Sequence, residues 1–259
     1  MTNNTLNLAL VQTTLAWENP KANRTHLEDK VSSITADLIV LPEMFSSGFT
    51  MNASEVAETM DGETIAWLKA LSKTKNAAIV GSLVITENNN YYNRLVFVDP
   101  NGTLATYDKR HTFTLAGEHK VYTAGSEKTI IDYKGFKICP LVCYDLRFPV
   151  WARNTKDYDV IIYVANWPKV RIAAWDALLK ARAIENMSYC IGVNRVGLDG
   201  NNYEYSGHSA AYDVLGHRMD SIPESTETVE VVTLEKSHIT KYRERLGFLK
   251  DRDNFSLKV

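Results

Sequence analysis

The sequence has few cysteines and lacks the long apolar and strongly basic segments that mark several classes of protein. Its 259 residues include three cysteines, an odd number without the spacing of a disulfide-stapled secreted domain. No apolar run approaches the roughly 20 residues that cross a bilayer, and the N-terminus lacks the basic and apolar segments of a secretory leader. These absences favour a cytoplasmic protein without a membrane partner.

The charge balance gives no electrostatic reason to expect a nucleic acid as partner. The formal net charge is -2 at pH 7, and lysine and arginine are dispersed along the chain. No GxGxxG or P-loop motif appears, which disfavours a nucleotide-binding module. No HExxH motif or paired Cys/His spacing supports a zinc site. We therefore expect neither a metal nor a cofactor.

Short apolar, β-type runs alternate with amphipathic helical patterns along the chain. Strands are predicted at 7–15, 37–43, 77–85, 91–99, 103–109, 129–133, 136–143, 159–166, 189–197, 208–214 and 227–234. Helices are predicted at 20–35, 63–75, 148–155, 171–187 and 235–245. Strands that are apolar on both faces imply sheets covered by helices, and no linker divides the chain. The pattern predicts an α/β fold with one domain over residues 1–259.

One apolar strand, in the segment FKICPLVCYDLRFP (136–149), ends abruptly in Cys143 and a charged, helix-opening sequence follows. Most cysteines are simply buried, and we expect that role for Cys139 and Cys190. At Cys143, however, backbone N–H groups at the start of a helix would favour a thiolate. Cys139 precedes it by four residues on the same predicted strand, about 13 Å away, so neither a disulfide nor a vicinal-thiol redox site is expected.

A cysteine nucleophile needs a base, a positive field and donors for the oxyanion that develops on attack. None of the six histidines carries a recognisable Cys-His signature, although spacing alone does not exclude them. Glu43 follows the strand LIVLP and Lys109 follows LATYD, and strand ends often converge on one cleft. Taken singly, each charge is more often a surface residue. The similarity of DLIVLPEMF to DVIIYVANWP suggests that these two strand ends also line one cleft.

Three segments together resemble the motifs of the nitrilase, or carbon–nitrogen hydrolase, superfamily. LPEMF, YDKRHTF and CYDLRFP are similar to its Glu, Lys and Cys motifs, in that family's order and with typical separations of 66 and 34 residues. ANWP, LLKARAIENMSYCIGVNRVG and SGHSAAYDVLG resemble its later blocks, so the resemblance covers nearly the whole chain. It implies a four-layer α-β-β-α sandwich and a homodimer built by stacking two sandwiches.

The resemblance also implies a role for each motif residue. Cys143 would be the nucleophile, and Glu43 would accept the thiol proton and later pass a proton to ammonia. Lys109 and the backbone N–H of Tyr144 would hold the oxyanion. Glu118 matches a second family glutamate that orients the substrate or Lys109.

Arg147 bears on the substrate, because a guanidinium fork suits a carboxylate, although a surface ion pair is equally compatible with its position. CYDLRF resembles the omega-amidase branch, and the later block NWPKVRIAAWDALLKARAIEN resembles its bacterial members. This resemblance implies cleavage of 2-oxoglutaramate or 2-oxosuccinamate through a thioester. Trp167, Phe45 and Phe113 are expected to form apolar walls of the cleft. The alternatives are a superfamily hydrolase of N-carbamoyl amines or other aliphatic amides, and a ligand-binding relative without catalysis.

Overall fold

The computed structural model describes residues 5–258, which form β-strands and α-helices in close to the predicted order. The strands are β1 (Thr5–Gln12), β2 (Leu38–Val40), β3 (Ala78–Glu87), β4 (Asn90–Val98), β5 (Leu104–Asp108), β6 (Ile131–Tyr133), β7 (Phe136–Val142), β8 (Val160–Ala165), β9 (Tyr189–Asn194), β10 (Val196–Leu198), β11 (Glu204–Ser206), β12 (Ala210–Tyr212) and β13 (Thr228–Glu235). The helices are α1 (Pro20–Val31), α2 (Ala53–Val56), α3 (Glu63–Lys75), α4 (Pro149–Ala152), α5 (Ile172–Asn186) and α6 (Lys236–Leu246). None of the helices between residues 5 and 258 has the length and apolar character of a membrane span.

The strands build two main sheets and one small ribbon. The first sheet has the order β13-β1-β2-β3-β4-β5, the second β12-β9-β8-β7-β6, and β10 pairs with β11. Both sheets have a parallel centre, β1-β2-β3 in the first and β7-β8-β9 in the second. Antiparallel strands close their edges. The parallel centres matter for function because they bring several carboxyl strand ends to the same edge.

Alternate side chains of the first sheet enter two different cores. In β1, Leu6, Leu8 and Leu10 lie in the core shared with the second sheet, whereas Ala9 and Val11 lie in the core shared with α1 and α3. The second sheet is covered in turn by α5, whose apolar side chains join the shared core. A period of two along the strand therefore separates the layers. The predicted four-layer α-β-β-α sandwich is confirmed.

Local chemistry sets several element boundaries close to the predicted ones. Asn19 caps α1 by accepting the N–H of Ala22 at 3.1 Å, and Pro20 occupies the first helical position, where its missing N–H costs nothing. Both predicted hairpins form, with Val98 opposite Leu104 and Tyr133 opposite Phe136.

Other boundaries differ from the prediction. The predicted helix 20–35 ends at Val31, and the predicted strand 37–43 shortens to β2. Leu41 N still donates to Val80 O at 2.8 Å, and the next residue, Pro42, has no N–H to continue the ladder. The predicted strand 189–197 divides into β9 and β10, since Val196 pairs with Ser206 of β11 instead of continuing the sheet. β11 and α2 were not predicted from the sequence.

The approach of α5 to the second sheet depends on a glycine in β9. A Cβ added at Gly192 would lie 2.7 Å from Trp175 Cζ2 and would also overlap the side chain of Leu179. We expect Gly192→Ala to lower the free energy of unfolding by about 1–3 kcal/mol through overpacking, as measured by urea denaturation.

A double-mutant cycle provides the control for Gly192→Ala. A Leu179→Ala background removes the overlap with Leu179 and leaves only the one with Trp175, so the same substitution should cost less there. An equal cost in both backgrounds would show that the close approach of α5 is not the cause.

Candidate active site

Side chains from four strand ends converge on one cavity. Glu43, Cys143 and Asn166 follow β2, β7 and β8, and Lys109 follows β5 directly. The cavity has a volume of about 480 Å³, and Lys109, Cys143 and Asn166 line it. This volume lies in the range of pockets for small organic ligands. The sequence prediction that Glu43, Lys109 and Cys143 meet is consistent with this geometry.

A buried ammonium lies between two buried carboxylates at the base of the cavity. Lys109 Nζ donates to Glu43 Oε1 at 2.8 Å and to Glu118 Oε1 and Oε2 at 3.0 and 2.9 Å. All three side chains are at most 1% exposed. Charges this deeply buried are tolerated only when paired, so the three groups fix one another's positions. The structure therefore places Glu118 in direct contact with Lys109.

Two asparagines that the sequence reading did not single out hold Glu43 in place. Asn166 donates its backbone N–H to Glu43 Oε2 at 2.8 Å and its side-chain amide to the Glu43 carbonyl at 2.6 Å. Asn93 of β4 donates to Glu43 Oε1 at 2.9 Å and to Glu118 Oε1 at 3.2 Å. The Asn166 contact joins the two strand ends whose sequences are similar, as that similarity suggested. For Asn93 the available signal was a polar residue inside an apolar strand.

Cys143 does not belong to the strand on which it was predicted. β7 ends at Val142, and Cys143 begins a 3₁₀ turn, Cys143–Arg147, with a left-handed φ of 43°. This conformation is uncommon for a side chain other than glycine, and such strain concentrates at functional sites. The N–H of Tyr144 lies in the first turn, where helical amides have no partner within the helix. It is therefore available to a ligand beside the thiol.

Asp145 anchors this turn. Its buried carboxylate accepts from Tyr107 Oη at 2.7 Å, from Val142 N at 3.1 Å, and from both the backbone N and Nδ1 of His111. Since His111 follows Lys109 by two residues, Asp145 ties the cysteine turn to the lysine segment. A single carboxylate thus fixes the relative position of two functional segments.

The electrostatics of the site favour a neutral resting thiol. Burial and the negative charge of Glu43 hold the pKa of Cys143 well above its ordinary value, against the opposing effect of Lys109. The expectation of a thiolate at Cys143 is therefore wrong for the resting site, because burial and Glu43 outweigh the effects that favour the anion. A base is needed to ionise the thiol.

The pKa values of Lys109 and Glu118 are also shifted by burial and by the neighbouring charges. Burial alone would lower the pKa of Lys109, but Glu118 and Glu43 raise it above its ordinary value, so the ammonium stays charged. Burial raises the pKa of Glu118, with Lys109 opposing and Glu43 reinforcing the effect.

The other two cysteines lie in the core, as predicted. Cys139 and Cys190 are fully buried among apolar side chains, and all three cysteines are free thiols. Burial raises the pKa of Cys139 to about 12, which makes it unreactive.

The predicted binding residues divide into three that line the cavity and one that does not. Arg147 extends over the Trp167 ring with 4.9 Å between its guanidinium carbon and the ring centroid, and Phe113 packs edge-on against Tyr144. Arg147, Trp167 and Phe113 all line the cavity.

Within residues 5–258, no group of three His, Cys, Asp or Glu side chains is arranged to ligate a metal.

Phe45 does not line the cavity, which corrects its predicted role as a wall. Its ring is fully buried in the core beneath α3, with 6.0 Å between its centroid and that of Trp67. It packs against β3 where Gly81 has no side chain, since a Cβ there would lie 2.8 Å from Phe45 Cδ1. Glu43 and Phe45 are two residues apart, but the backbone turns at Met44, with a φ of 43°, and directs them to different layers.

Comparisons with known proteins agree with this geometry. The family model described as carbon-nitrogen hydrolase matches residues 7–244. The chain is 44% identical to omega-amidase YafV of Yersinia enterocolitica over 98% of this chain and 99% of that protein. It is 35% identical to the 2-oxoglutaramate amidase of Bacillus subtilis over 81% and 83% of the two chains. The crystal structure of XC1258 from Xanthomonas campestris, a CN-hydrolase superfamily protein with an arsenic adduct in its active site, superposes with a TM-score of 0.96 at 40% identity, covering 98% and 99% of the chains.

The raised thiol pKa leads to a prediction for chemical modification. Alkylation of Cys143 by iodoacetamide should accelerate with pH and reach its midpoint above about 8.5, the value of an ordinary cysteine. Glu43→Gln removes a negative charge that disfavours the thiolate, so the midpoint should move to lower pH. Mass spectrometry between pH 6 and 10 measures both profiles, with buried Cys139 and Cys190 as internal controls. A midpoint that rises in Glu43→Gln would contradict this electrostatic picture.

Proposed function

The chain belongs to the carbon–nitrogen hydrolase family, and we propose that it hydrolyses the terminal amide of small carboxylate-bearing amides of the 2-oxoglutaramate and 2-oxosuccinamate type. The products are the corresponding acid and ammonia. The observation that carries the proposal is the contact of Lys109 with Glu43 and Glu118 in the same cavity as the Cys143 thiol. The names of the omega-amidase and 2-oxoglutaramate amidase relatives support the choice of substrate.

The first half of the reaction transfers the acyl group to sulfur. Glu43 takes the thiol proton of Cys143 as the sulfur attacks the amide carbon. The carbonyl oxygen becomes an oxyanion that accepts hydrogen bonds from Lys109 Nζ and from the N–H of Tyr144. Glu43 then gives its proton to the amide nitrogen, the C–N bond breaks, and ammonia leaves a thioester on Cys143.

The second half returns the enzyme to its resting state. Glu43 takes a proton from a water molecule as the water oxygen attacks the thioester carbon, and the same two donors stabilise the second oxyanion. The C–S bond breaks, the sulfur regains a proton from Glu43, and the acid departs. Glu118 keeps Lys109 in position through both halves, since its two oxygens lie 3.0 and 2.9 Å from the ammonium nitrogen and can share one N–H. A further N–H then remains for the oxyanion.

Recognition of the substrate's acidic end is assigned to Arg147, with Trp167 and Phe113 as apolar walls. The guanidinium of Arg147 stacks on the Trp167 ring, which restricts its motion without using its N–H donors. Those donors remain for a carboxylate, which a guanidinium binds with two parallel hydrogen bonds. A neutral amide would lack this contact.

We further propose that all 259 residues form one catalytic domain in a cytoplasmic homodimer. Three free thiols suit a reducing compartment. A surface patch around exposed Val150 and Leu257, which line one shallow pocket, is a candidate for the contact with the second copy.

The substrate assignment is tested by a panel of amides. Pure protein should release ammonia from 2-oxoglutaramate faster than from an N-carbamoyl amine, a neutral aliphatic amide or a nitrile of similar size. Cys143→Ser and Glu43→Gln should abolish measurable release, whereas Lys109→Met should reduce kcat by about a hundredfold or more. The matched control is Cys190→Ala, which removes a buried thiol outside the cavity and should leave activity intact.

Each other outcome of the panel has a defined meaning. Release mainly from an N-carbamoyl amine or a neutral amide would move the protein to another branch of the family. Normal turnover by Cys143→Ser would refute the thioester mechanism. Absence of turnover on every compound, with specific binding of one of them, would indicate a ligand-binding relative.

The homodimer is tested by the mass of the protein in solution. Sedimentation equilibrium should give twice the chain mass of 29.2 kDa. Substituting Val150 and Leu257 by aspartate should lower that mass if their patch is the interface, while Lys169→Asp, at another exposed position, should not.

A further inference from the structure

The cavity contains a second guanidinium that the sequence reading did not identify. Arg171, immediately before α5, lines the cavity together with Arg147. Arg171 is half-buried, whereas Arg147 is exposed. In the part of the chain that the structure describes, neither guanidinium has a carboxylate within 4.0 Å. Two positive charges therefore face one ligand space without an internal counter-ion.

Each guanidinium packs against an aromatic ring of the cavity wall. Arg147 lies over Trp167, and Arg171 lies over Phe113 with 5.2 Å between the guanidinium carbon and the ring centroid. The indole Nε1–H of Trp167 donates to the carbonyl of Arg171 at 2.9 Å. The backbone N–H of Trp167 donates at 2.7 Å to Oδ1 of Asn194, the last residue of β9. Trp167 thus links the two arginines to a rigid strand end, and neither contact uses a guanidinium N–H.

The nearby acidic side chains already have other partners. Asp199, which also lines the cavity, accepts the N–H groups of Asn201 and Tyr203 and the hydroxyl of Tyr205, at 2.8 to 3.0 Å. Glu204 pairs with Lys169 at 2.8 Å. Both carboxylates have structural roles, which leaves the two guanidiniums for the ligand.

We propose that Arg171 is a specificity-determining residue that binds the substrate's 2-oxo carboxylate end together with Arg147. This inference rests on the proposed function. A 2-oxo carboxylate presents three acceptor oxygens on adjacent carbons, and one guanidinium fork binds two of them side by side. A second guanidinium supplies donors for the third. A simple carboxylate has two oxygens, which Arg147 alone can satisfy, so Arg171 selects for the 2-oxo group.

The test compares two amides that differ only in that oxygen: 2-oxoglutaramate and glutaramate. Arg171→Met keeps the apolar contact with Phe113 and leaves the backbone bond to Trp167 intact, but removes the donors. We expect kcat/KM for 2-oxoglutaramate to fall about 10- to 100-fold, as for loss of a charged hydrogen bond, and that for glutaramate to fall less than about threefold. Arg171→Lys should recover part of the loss. Arg147→Met, the matched comparison, should lower both values by similar factors.

A binding measurement separates specificity from catalysis. In a Cys143→Ala background, calorimetric titration with the two amides should show the preference for 2-oxoglutaramate, and adding Arg171→Met should remove most of it. Retained glutaramate turnover and an unchanged near-ultraviolet circular dichroism spectrum show that the variant is folded. If Arg171→Met is unfolded, Arg171→Lys and Arg171→Gln are compared in its place.

Two other results have distinct meanings. Equal losses on both amides in the folded Arg171 variants would overturn this inference and leave the proposed function standing. Absence of ammonia release from either acidic amide by the unaltered protein would overturn the proposed function, and this inference with it.

Discussion

The site depends on one interaction, the contact of a buried ammonium with two buried carboxylates. Lys109 cannot be buried uncompensated, and neither can Glu43 or Glu118. Each group therefore requires the others, and the hydrogen bonds between them determine where the three strand and loop segments meet. The two carboxylates against one ammonium leave excess negative charge beside the thiol. Burial and that excess charge together hold the pKa of the Cys143 thiol well above its ordinary value.

The sheets deliver these groups to one place through simple topology. Parallel strand centres in both sheets end at the same edge, and the residues after β2, β7 and β8 face one another there. The backbone amide of Asn166 and the carboxylate of Glu43 come from different sheets and share a hydrogen bond. The hydrogen bond that orients the Glu43 carboxylate therefore also joins the two sheets.

Much of this arrangement could be predicted from the sequence, and the failures have physical reasons. The period-two apolar runs gave the strands, and the motif resemblance gave the sandwich and the residues that meet in the cavity. Local pattern could not place Phe45, because the reversal of direction at Met44 depends on a backbone conformation that has no marker in the residue type. It marked Asn93 only as a polar residue inside an apolar strand and did not mark Arg171 at all, because the contacts of both residues exist only after distant segments pack. The thiolate expectation failed because helix-terminus effects are local, whereas burial and the Glu43 charge are properties of the assembled site.

Gly192, in the core, affects the cavity through α5. Because β9 presents only a hydrogen atom there, α5 settles deep on the sheet, and Trp175 of that helix lies with its ring centroid 5.5 Å from that of Trp167. Arg171 is the N-cap residue of the same helix. The absence of a side chain at Gly192 therefore determines how closely α5 packs on the sheet, and with it the position of Arg171. A substitution at this contact between helix and sheet would therefore displace Arg171 without changing any residue that lines the cavity.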